Sequence, residues 1–240
     1  MEGNLKGIAF VGYKKSGKTT LISQVIELFQ KKGKKVGVAK FSHHTFNLAN
    51  TDTGKFLKQK CISIGLNEKE SFISWPEKKY LPDLLPLLSS HILLVEGGKH
   101  LTWLPRIILP QKEEDLQKLD NGLSLAYYSP KPFNSPLKHI AKPEEIVTLI
   151  EEKGFILPGL DCEACGLKGC LEAGKLIVQG KANISVCKAL KQDRLEIKVN
   201  GHPLSTNPFV CKLIEKTLLA MLSELKGFVP GEVSLKLKIK

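Results

Sequence analysis

The sequence lacks the features that mark membrane, secreted and repetitive proteins. It has no apolar run of 18 residues, so we expect no transmembrane helix. The N-terminal stretch MEGNLKGIAFVGYKKSGKTT begins with an acidic residue, and its short apolar run leads directly into a motif, unlike a secretory signal peptide. No internal repeat or low-complexity segment is present. These absences predict a cytoplasmic protein built from globular domains.

Arginine is almost missing, although the chain is basic. The formal net charge is +12, yet arginine occurs only at Arg106 and Arg194. A basic balance fits a nucleotide, an anionic cofactor, an acidic protein or nucleic acid. The lysines are spread along the chain apart from Lys31–Lys35, and no recognition helix or aromatic stacking motif accompanies them. We therefore disfavour nucleic acid as a partner.

The first 155 residues alternate apolar strand patterns with amphipathic helix patterns. Near-continuous apolar strands that alternate with helices predict an α/β domain whose mostly parallel sheet is covered on both faces. We assign residues 1–155 to this domain. The polar, irregular segment between Ser42 and Asn67 interrupts the pattern, which is typical of a functional segment. The predicted strands and helices have the sequences GIAFVG, KTTLISQVIELFQKKG, KVGVAKF, YLPDLLPLLSS, HILLVEGG, PRIILP, LSLAYYS and KPEEIVTLIEEKG.

Residues 156–240 predict a second, small α+β domain that follows a linker at residues 156–160. A cysteine-rich segment and a short helix come first, and Asn200-Gly201 predicts a hairpin. NPFVCKLIEKTLLAMLSELKG predicts an amphipathic helix that stops near Gly227. The strictly alternating tail VSLKLKIK predicts an edge strand.

A phosphate-binding loop is the most specific motif of the first domain. Gly12–Thr19 match G-x-x-x-x-G-K-[ST] between a predicted strand and a predicted helix. Such a loop surrounds phosphates with backbone N–H groups at a helix N-terminus, while Lys18 reaches the phosphates and the Thr19 hydroxyl binds Mg²⁺. The predicted nucleotide-binding residues are Gly12, Tyr13, Lys14, Lys15, Ser16, Gly17, Lys18, Thr19 and Thr20.

Glu96 ends a predicted buried strand and precedes two glycines. A carboxylate at this position predicts a residue that holds magnesium or positions water, and a helix cap or a loop salt bridge is the alternative. Asp52 is a second candidate magnesium ligand, with a helix cap as its alternative. His43 and His44 point in different directions on an extended backbone, which disfavours a shared metal and favours contact with phosphate or substrate.

The nucleotide base remains open between GTP and ATP, because the chain has no Asn-Lys-x-Asp sequence, the motif that many proteins use to bind guanine.

The motifs FVGYKKSGKTTLI, Lys-x-x-His-His and LLVEGGK over about residues 5–153 resemble the family of molybdopterin-guanine dinucleotide biosynthesis protein B. The resemblance implies a homodimeric, weakly hydrolysing GTP-binding protein that assists molybdopterin guanylyltransferase. It also places Gly12–Thr20 at the phosphates, Glu96 at the metal and the His43–Lys55 loop near the nucleotide.

Four of the six cysteines have the spacing Cys162-x2-Cys165-x4-Cys170-x16-Cys187. A reducing compartment disfavours disulfides. Zinc sites commonly use two separated Cys-x2-Cys pairs, whereas three thiolates on one loop and a distant fourth suit a cube-shaped cluster. Zinc therefore stays the alternative to iron and sulfide. Cys61 and Cys211 fall outside the set, and Cys211 is predicted to be core.

The same segment resembles the four-cysteine [4Fe–4S] domains of electron-transfer and corrinoid proteins. It departs from their pattern at Glu163, where glycine is usual, and at Gly174, where alanine is usual. The resemblance implies cluster ligation by Cys162, Cys165, Cys170 and Cys187. Lys168 and Lys175 are expected to offset the cluster's negative charge.

Together these features predict a GTP-dependent accessory factor of molybdenum or tungsten cofactor maturation. Lys18 and Glu96 would be the catalytic residues of a slow GTPase. We expect a molybdopterin guanylyltransferase or a molybdoenzyme as partner and no membrane association. Two alternatives remain: a nucleotide-dependent carrier of metal or clusters, and a docking module that the cluster only stabilises. The cysteine module is expected to be an appendage that the first domain does not need in order to fold.

Overall fold

The computed structural model describes residues 5–42, 55, 59–190, 195, 197–199, 202–204, 206–229, 231–235 and 237. Its strands are β1 (Lys6–Gly12), β2 (Val36–Lys40), β3 (Ser63–Leu66), β4 (Ser71–Ser74), β5 (Ile92–Glu96), β6 (Arg106–Leu109), β7 (Ser124–Tyr128), β8 (His139–Ile140), β9 (Lys198–Val199) and β10 (His202–Pro203). Its α-helices are α1 (Lys18–Lys31), α2 (Leu81–Leu84), α3 (Glu114–Leu119), α4 (Pro143–Lys153), α5 (Gly169–Val178) and α6 (Pro208–Ser223). Short 3₁₀ turns follow α2 and α5.

Six strands form one parallel sheet in the order β2-β5-β1-β6-β7-β8. The strands at its centre are almost wholly apolar and buried. Such strands present apolar side chains on both faces of the sheet, so both faces need cover. Crossover connections between parallel strands place chain on each side of the sheet. The predicted α/β class with a mostly parallel sheet is therefore confirmed.

Helices α1 and α4 cover the first face of the sheet. Phe29 and Val25 of α1 are completely buried, as are Ile146 and Ile150 of α4. Their spacing of four residues places each pair on one side of its helix, which is why these sequences fold as amphipathic helices. They pack against inward-facing residues of β1, β5 and β6 in one apolar cluster.

The second face is covered by α3, by the segment between β5 and β6, and by the cysteine segment. Trp103 and Leu104, which precede β6, belong to the same apolar cluster as Leu157, Cys170 and Cys187. The backbone N–H of Leu157 donates to the carbonyl of Trp103 over 3.0 Å. The cysteine segment is therefore part of the core that covers the sheet, where the sequence suggested a separate appendage.

Glycines allow α5 to approach the sheet domain closely. A Cβ atom on Gly174 would lie 2.7 Å from Cδ2 of Leu123, whose side chain is fully buried just before β7. Lys175 covers Gly122, since a Cβ there would lie 2.8 Å from Cε of the lysine. The unusual glycine at position 174 thus has a steric explanation in the contact with Leu123.

The C-terminal elements agree with the sequence in part. The hairpin strands β9 and β10 pair antiparallel, as predicted around Asn200-Gly201. Helix α6 ends at Ser223, four residues before the predicted stop at Gly227. The predicted tail strand is wrong for the described residues, because Val233, Leu235 and Leu237 lie in no strand. An alternating pattern forms a strand only where a neighbouring strand supplies hydrogen bonds.

Four elements had no counterpart in the sequence interpretation, namely strands β3, β4 and β8 and helix α3. Strands β3 and β4 form an antiparallel hairpin, α3 lies between β6 and β7, and β8 pairs with β7 at the sheet edge. The hairpin turn is marked by Asn67, whose Oδ1 accepts from the N–H groups of Lys69 and Glu70 at 2.8 and 2.9 Å. Asparagine commonly starts such turns, so this signal was available. Within the described ranges, no helix is long and apolar enough to cross a membrane.

The contact between Gly174 and Leu123 yields a stability prediction. Gly174→Leu should lower the free energy of unfolding by about 1–3 kcal/mol, because the added side chain has no space beside Leu123. In chemical unfolding monitored by circular dichroism, Gln179→Leu at the exposed end of α5 serves as control and should change little.

A double-mutant cycle assigns the effect to this contact. Leu123→Ala leaves a cavity and destabilises the protein, yet it also makes room for a larger residue at position 174. The double variant should therefore be more stable than the sum of the single effects predicts, by at least about 0.5 kcal/mol. Additive effects would contradict direct packing between the two positions.

Candidate functional site

The loop that joins β1 to α1 has the geometry of a phosphate-binding loop. Gly17 caps α1 with φ of 82°, a left-handed conformation that glycine adopts without steric penalty. At Gly12, a Cβ atom would lie 2.7 Å from the carbonyl oxygen of Leu109 on β6, so the close approach of these strands requires glycine. Tyr13, Lys14 and Lys15 lie exposed between these glycines.

Lys18, the first residue of α1, folds back over the loop. Its Nζ donates to the carbonyl oxygens of Tyr13 at 2.6 Å and Gly12 at 3.2 Å, and to Oγ of Ser16 at 3.2 Å. Burial lowers the pKa of Lys18, Glu96 opposes that shift, and the charges of Lys99 and Lys40 lower it further. The ammonium group thus lies at the loop mouth among other cations, an environment that favours an anion.

Thr19 and Glu96 meet beside this loop. The Thr19 hydroxyl donates to Oε1 of Glu96 over 3.0 Å, and Lys40 Nζ lies 3.3 Å from Oε2. The sheet explains this meeting, because Glu96 ends β5 in register with Phe10 of β1 and Lys40 of β2. A hydroxyl and a carboxylate at one edge are oxygen donors that suit Mg²⁺ or its bound water. The residues present therefore fit a magnesium ion beside a phosphate.

Three residues that the sequence interpretation missed support the loop. Lys99 Nζ lies 4.0 Å from the centroid of the Tyr13 ring, a cation–π contact. Gln111 Nε2 donates to the carbonyl of Lys14 over 3.2 Å. Both residues follow strands that flank β1, so their position after a strand end was the available signal.

Arg106 is the third residue that the sequence interpretation missed. It fixes the segment after β5 from inside the protein. The residue is 1% exposed, and its guanidinium donates to the carbonyls of Leu119, Lys99 and Leu101 over 2.8–3.1 Å. Burial lowers the pKa of Arg106 to about 10, against a smaller raising effect of Asp120. A buried arginine bound to three carbonyls is an organising residue of the backbone beside the loop.

Some predicted site residues cannot be placed. His43, His44 and Asp52 lie outside the described residues, so their expected positions near nucleotide and magnesium stay predictions. Thr20, the last predicted nucleotide-binding residue, lies exposed in the first turn of α1.

The second site is a cavity lined by all four clustered cysteines. Cys162 and Cys165 lie on the loop before α5 and are partly exposed, whereas Cys170 in α5 and Cys187 beyond it are buried. Burial raises the pKa of the Cys170 thiol. Lys188 lines the cavity as well. Four thiols around one cavity are a donor set that fits an iron–sulfur cluster, with two ligands toward solvent and two toward the core.

The two remaining cysteines lie apart from this cavity. Cys61 is exposed, and Cys211 is buried within α6, where its Sγ lies 2.7 Å from Oγ1 of Thr206. The predicted core position of Cys211 is confirmed. In the described part of the chain, no group of three His, Cys, Asp or Glu side chains is close enough to hold a single metal ion.

The cysteine loop is held in an uncommon backbone conformation. Asp161 and Glu163 have φ of 44° and 54°, and Oδ1 of Asp161 accepts from the N–H of Cys170 over 2.7 Å. The left-handed conformation at Glu163 explains why glycine is usual at this position. Lys175, expected to offset cluster charge, pairs with Glu172 at 2.8 Å, and its role beside a cluster stays a prediction.

Comparison with family models divides the chain as the two sites do. Residues 8–125 match the family described as "Molybdopterin guanine dinucleotide synthesis protein B" (MobB). Residues 157–189 match a family described as "Putative Fe-S cluster", and this range contains all four cavity cysteines. The chain therefore contains a MobB family domain followed by a segment of this Fe-S family.

Two individual proteins illustrate the similarity. A "Putative molybdopterin-guanine dinucleotide biosynthesis adapter protein" of Methanocaldococcus jannaschii is 25% identical over 98% of this chain and 97% of its own length. The crystal structure of MobB from Bacillus subtilis superposes with a TM-score of 0.50 and 21% identity, covering 61% of this chain and 97% of that protein. At this identity, the structural match supports the fold.

The strained loop beside Cys162 generates a second stability prediction. Glu163→Gly should raise the thermal unfolding midpoint of protein purified without oxygen, by roughly 2–4 °C, because glycine adopts a positive φ without the penalty that glutamate carries. Ala164→Gly is the matched control, since Ala164 has no positive φ and should lose stability or stay unchanged. An equal response of both variants would contradict the role of φ.

Proposed function

We propose that this chain, with its MobB domain at residues 8–125, is a GTP-binding accessory protein of molybdenum or tungsten cofactor biosynthesis. It would assist the formation of molybdopterin guanine dinucleotide as an adapter, the role named for its relative from M. jannaschii. The observation that carries the proposal is the contact of Thr19 with Glu96 beside a phosphate-binding loop. Similarity over nearly the whole length of both proteins supports the pathway.

In the proposed complex, the loop Gly12–Thr20 binds the phosphates of GTP through its N–H groups. Lys18 releases the carbonyls of Gly12 and Tyr13 and binds phosphate oxygens, a stronger charge-assisted interaction. Thr19 and Glu96 would hold Mg²⁺, which would neutralise charge on the phosphates. Asp52 is proposed as a further magnesium ligand.

Hydrolysis is proposed to be slow. Fast phosphoryl transfer commonly uses an arginine that stabilises the transition state. Arg106, the one arginine that the structure describes, directs its guanidinium at three backbone carbonyls in the core. Glu96 is left as the catalytic carboxylate, and it forms an ion pair with Lys40. Such a site suits a binding protein that retains its nucleotide.

The nucleotide proposal is tested by Lys18→Ala in titrations with GTP and Mg²⁺. Loss of a charged hydrogen-bond donor should weaken GTP binding about 10- to 100-fold. Lys31→Ala is the matched control, because it removes the same charge from the other end of α1. Unchanged affinity of Lys18→Ala would contradict the assignment, and a parallel titration with ATP determines the preferred base.

We further propose that residues 156–240 carry a [4Fe–4S] cluster bound by Cys162, Cys165, Cys170 and Cys187. The four thiols around one cavity support this, as does the match of residues 157–189 to the Fe-S family. When bound, the cluster would supply electron-transfer or structural chemistry. The chain's own residues bury two ligands against the sheet domain and fix the loop through Asp161.

Metal and sulfide analysis after anaerobic purification tests the cluster. About four iron and four sulfide per chain are expected. Cys162→Ser should lower both contents, whereas Cys61→Ser, an exposed cysteine outside the cavity, should leave them unchanged. If the protein contains one zinc per chain and no sulfide, the cluster proposal is wrong and the four cysteines form a zinc site.

One observation favours a second candidate function, that of a cluster or metal carrier. Cys162 and Cys165 are partly exposed, so one side of the cavity is open to an acceptor protein. The two functions differ in whether iron leaves the protein when the nucleotide is hydrolysed.

We propose a homodimer that acts on a molybdopterin guanylyltransferase or a molybdoenzyme in the cytoplasm.

A further inference from the structure

Lys99 occupies a position beside the phosphate-binding loop that the loop motif does not account for. It is the third residue after Glu96 at the end of β5, and its side chain is exposed. Its Nζ lies 4.0 Å from the ring centroid of Tyr13. The carbonyl of Tyr13 in turn accepts from Lys18 Nζ over 2.6 Å. Two ammonium groups therefore approach the same loop residue, one from α1 and one from the segment after β5.

The backbone of Lys99 is fixed while its side chain extends outward. Arg106 Nη2 donates to the carbonyls of Lys99 at 3.1 Å and Leu101 at 2.8 Å. The N–H of Leu101 donates to the carbonyl of Gly98 over 2.9 Å. A side chain on a fixed backbone places its charge reproducibly, which is what a ligand-binding position requires.

Charge around the loop mouth is predominantly positive. Lys40 and Lys99 both lie within electrostatic reach of Lys18, and Glu96 is the carboxylate that acts on Lys18. Lys40 pairs with Glu96, whereas the ion pairs among the described residues do not include Lys99. The contact of Lys99 is a cation–π contact at an exposed site, which is weaker than a charge-assisted bond to phosphate. Lys99 is thus a cation that can exchange its ring contact for an anion.

The position of Lys99 along the chain indicates which phosphate it can reach. Glu96 contacts Thr19, the hydroxyl that the loop motif assigns to Mg²⁺. A Mg²⁺ ion held by Thr19 and Glu96 would neutralise charge on the outer phosphates of a nucleoside triphosphate, so the segment after Glu96 would pass the outer end of the phosphate chain. This segment carries Lys99.

We propose that Lys99 binds the terminal phosphate of a nucleoside triphosphate and makes the site prefer triphosphate over diphosphate. This inference rests on the proposed nucleotide function and adds a specificity-determining residue to it. Lys18 holds the phosphates from the helix side, and Lys99 moves from the Tyr13 ring onto the terminal phosphate. A diphosphate lacks that group, so Lys99 adds nothing to its binding.

The test compares GTP and GDP binding, with Mg²⁺, to the full chain and to Lys99→Gln. The variant should lose about tenfold in affinity for GTP, the effect of one charged hydrogen bond, and less than about twofold for GDP. Lys118→Gln is the matched control, since it removes one exposed lysine charge from α3. Lys99→Arg should keep most of the affinity because the charge is retained. Thermal unfolding of each variant checks that the fold is intact.

The outcomes distinguish a failure of the Lys99 role from a failure of the proposed nucleotide binding. If Lys18→Ala loses GTP binding while Lys99→Gln behaves like Lys118→Gln, the role of Lys99 is wrong and the nucleotide site stands. Equal losses for GTP and GDP would likewise overturn the preference for triphosphate. If the unaltered protein binds neither nucleotide, both the site and the role of Lys99 fall.

Discussion

A parallel sheet must be buried on both faces, and this requirement organises the whole chain. Helices α1 and α4 cover one face of the sheet. On the other face, α3 is only six residues long, and the segment between β5 and β6 contributes Trp103 and Leu104. The remaining cover comes from the cysteine segment, whose Leu157, Ala173 and Cys187 complete that apolar cluster. The cysteine segment is therefore structural cover for the parallel sheet.

The same sheet concentrates charge at the carboxyl ends of its central strands. Strands β2, β5 and β1 are neighbours, so Lys40, Glu96 and the phosphate loop lie side by side although they are far apart in sequence. Arg106 binds the backbone of Lys99 and Leu101, and the segment it fixes continues to Trp103. Trp103 packs on Gly159, where a Cβ atom would lie 2.9 Å from its ring, and so reaches the linker to the cysteines. One continuous segment thus contacts both candidate sites.

Much of the architecture could be predicted from local patterns, because the buried strands and the amphipathic helices α1 and α4 carry their own periodicity. The loop motif predicted its residues, and strand order explains why Glu96 meets Thr19. The strand end before Lys99 was a signal, but the contact of Lys99 with the Tyr13 ring could not be predicted, since it depends on a buried arginine and on an aromatic ring from another segment. The packing of Gly174 on Leu123 is a tertiary contact with no local signal. The tail was wrongly predicted as a strand because it has a local pattern without a tertiary contact, and alternation alone supplies no neighbouring strand to pair with.

The shared core also bears on the order in which the chain matures. Trp103, Leu104 and Leu123 are synthesised before the cysteine segment that packs against them. A nascent chain folds from its N-terminal side, so this apolar surface stays open to water until residues 157–189 have left the ribosome. Cys170 and Cys187 belong to the apolar cluster of side chains that covers this surface. Packing of the cysteine segment is therefore a late folding step for the sheet domain, and a chain without that packing would expose a sheet face that chaperones and proteases recognise.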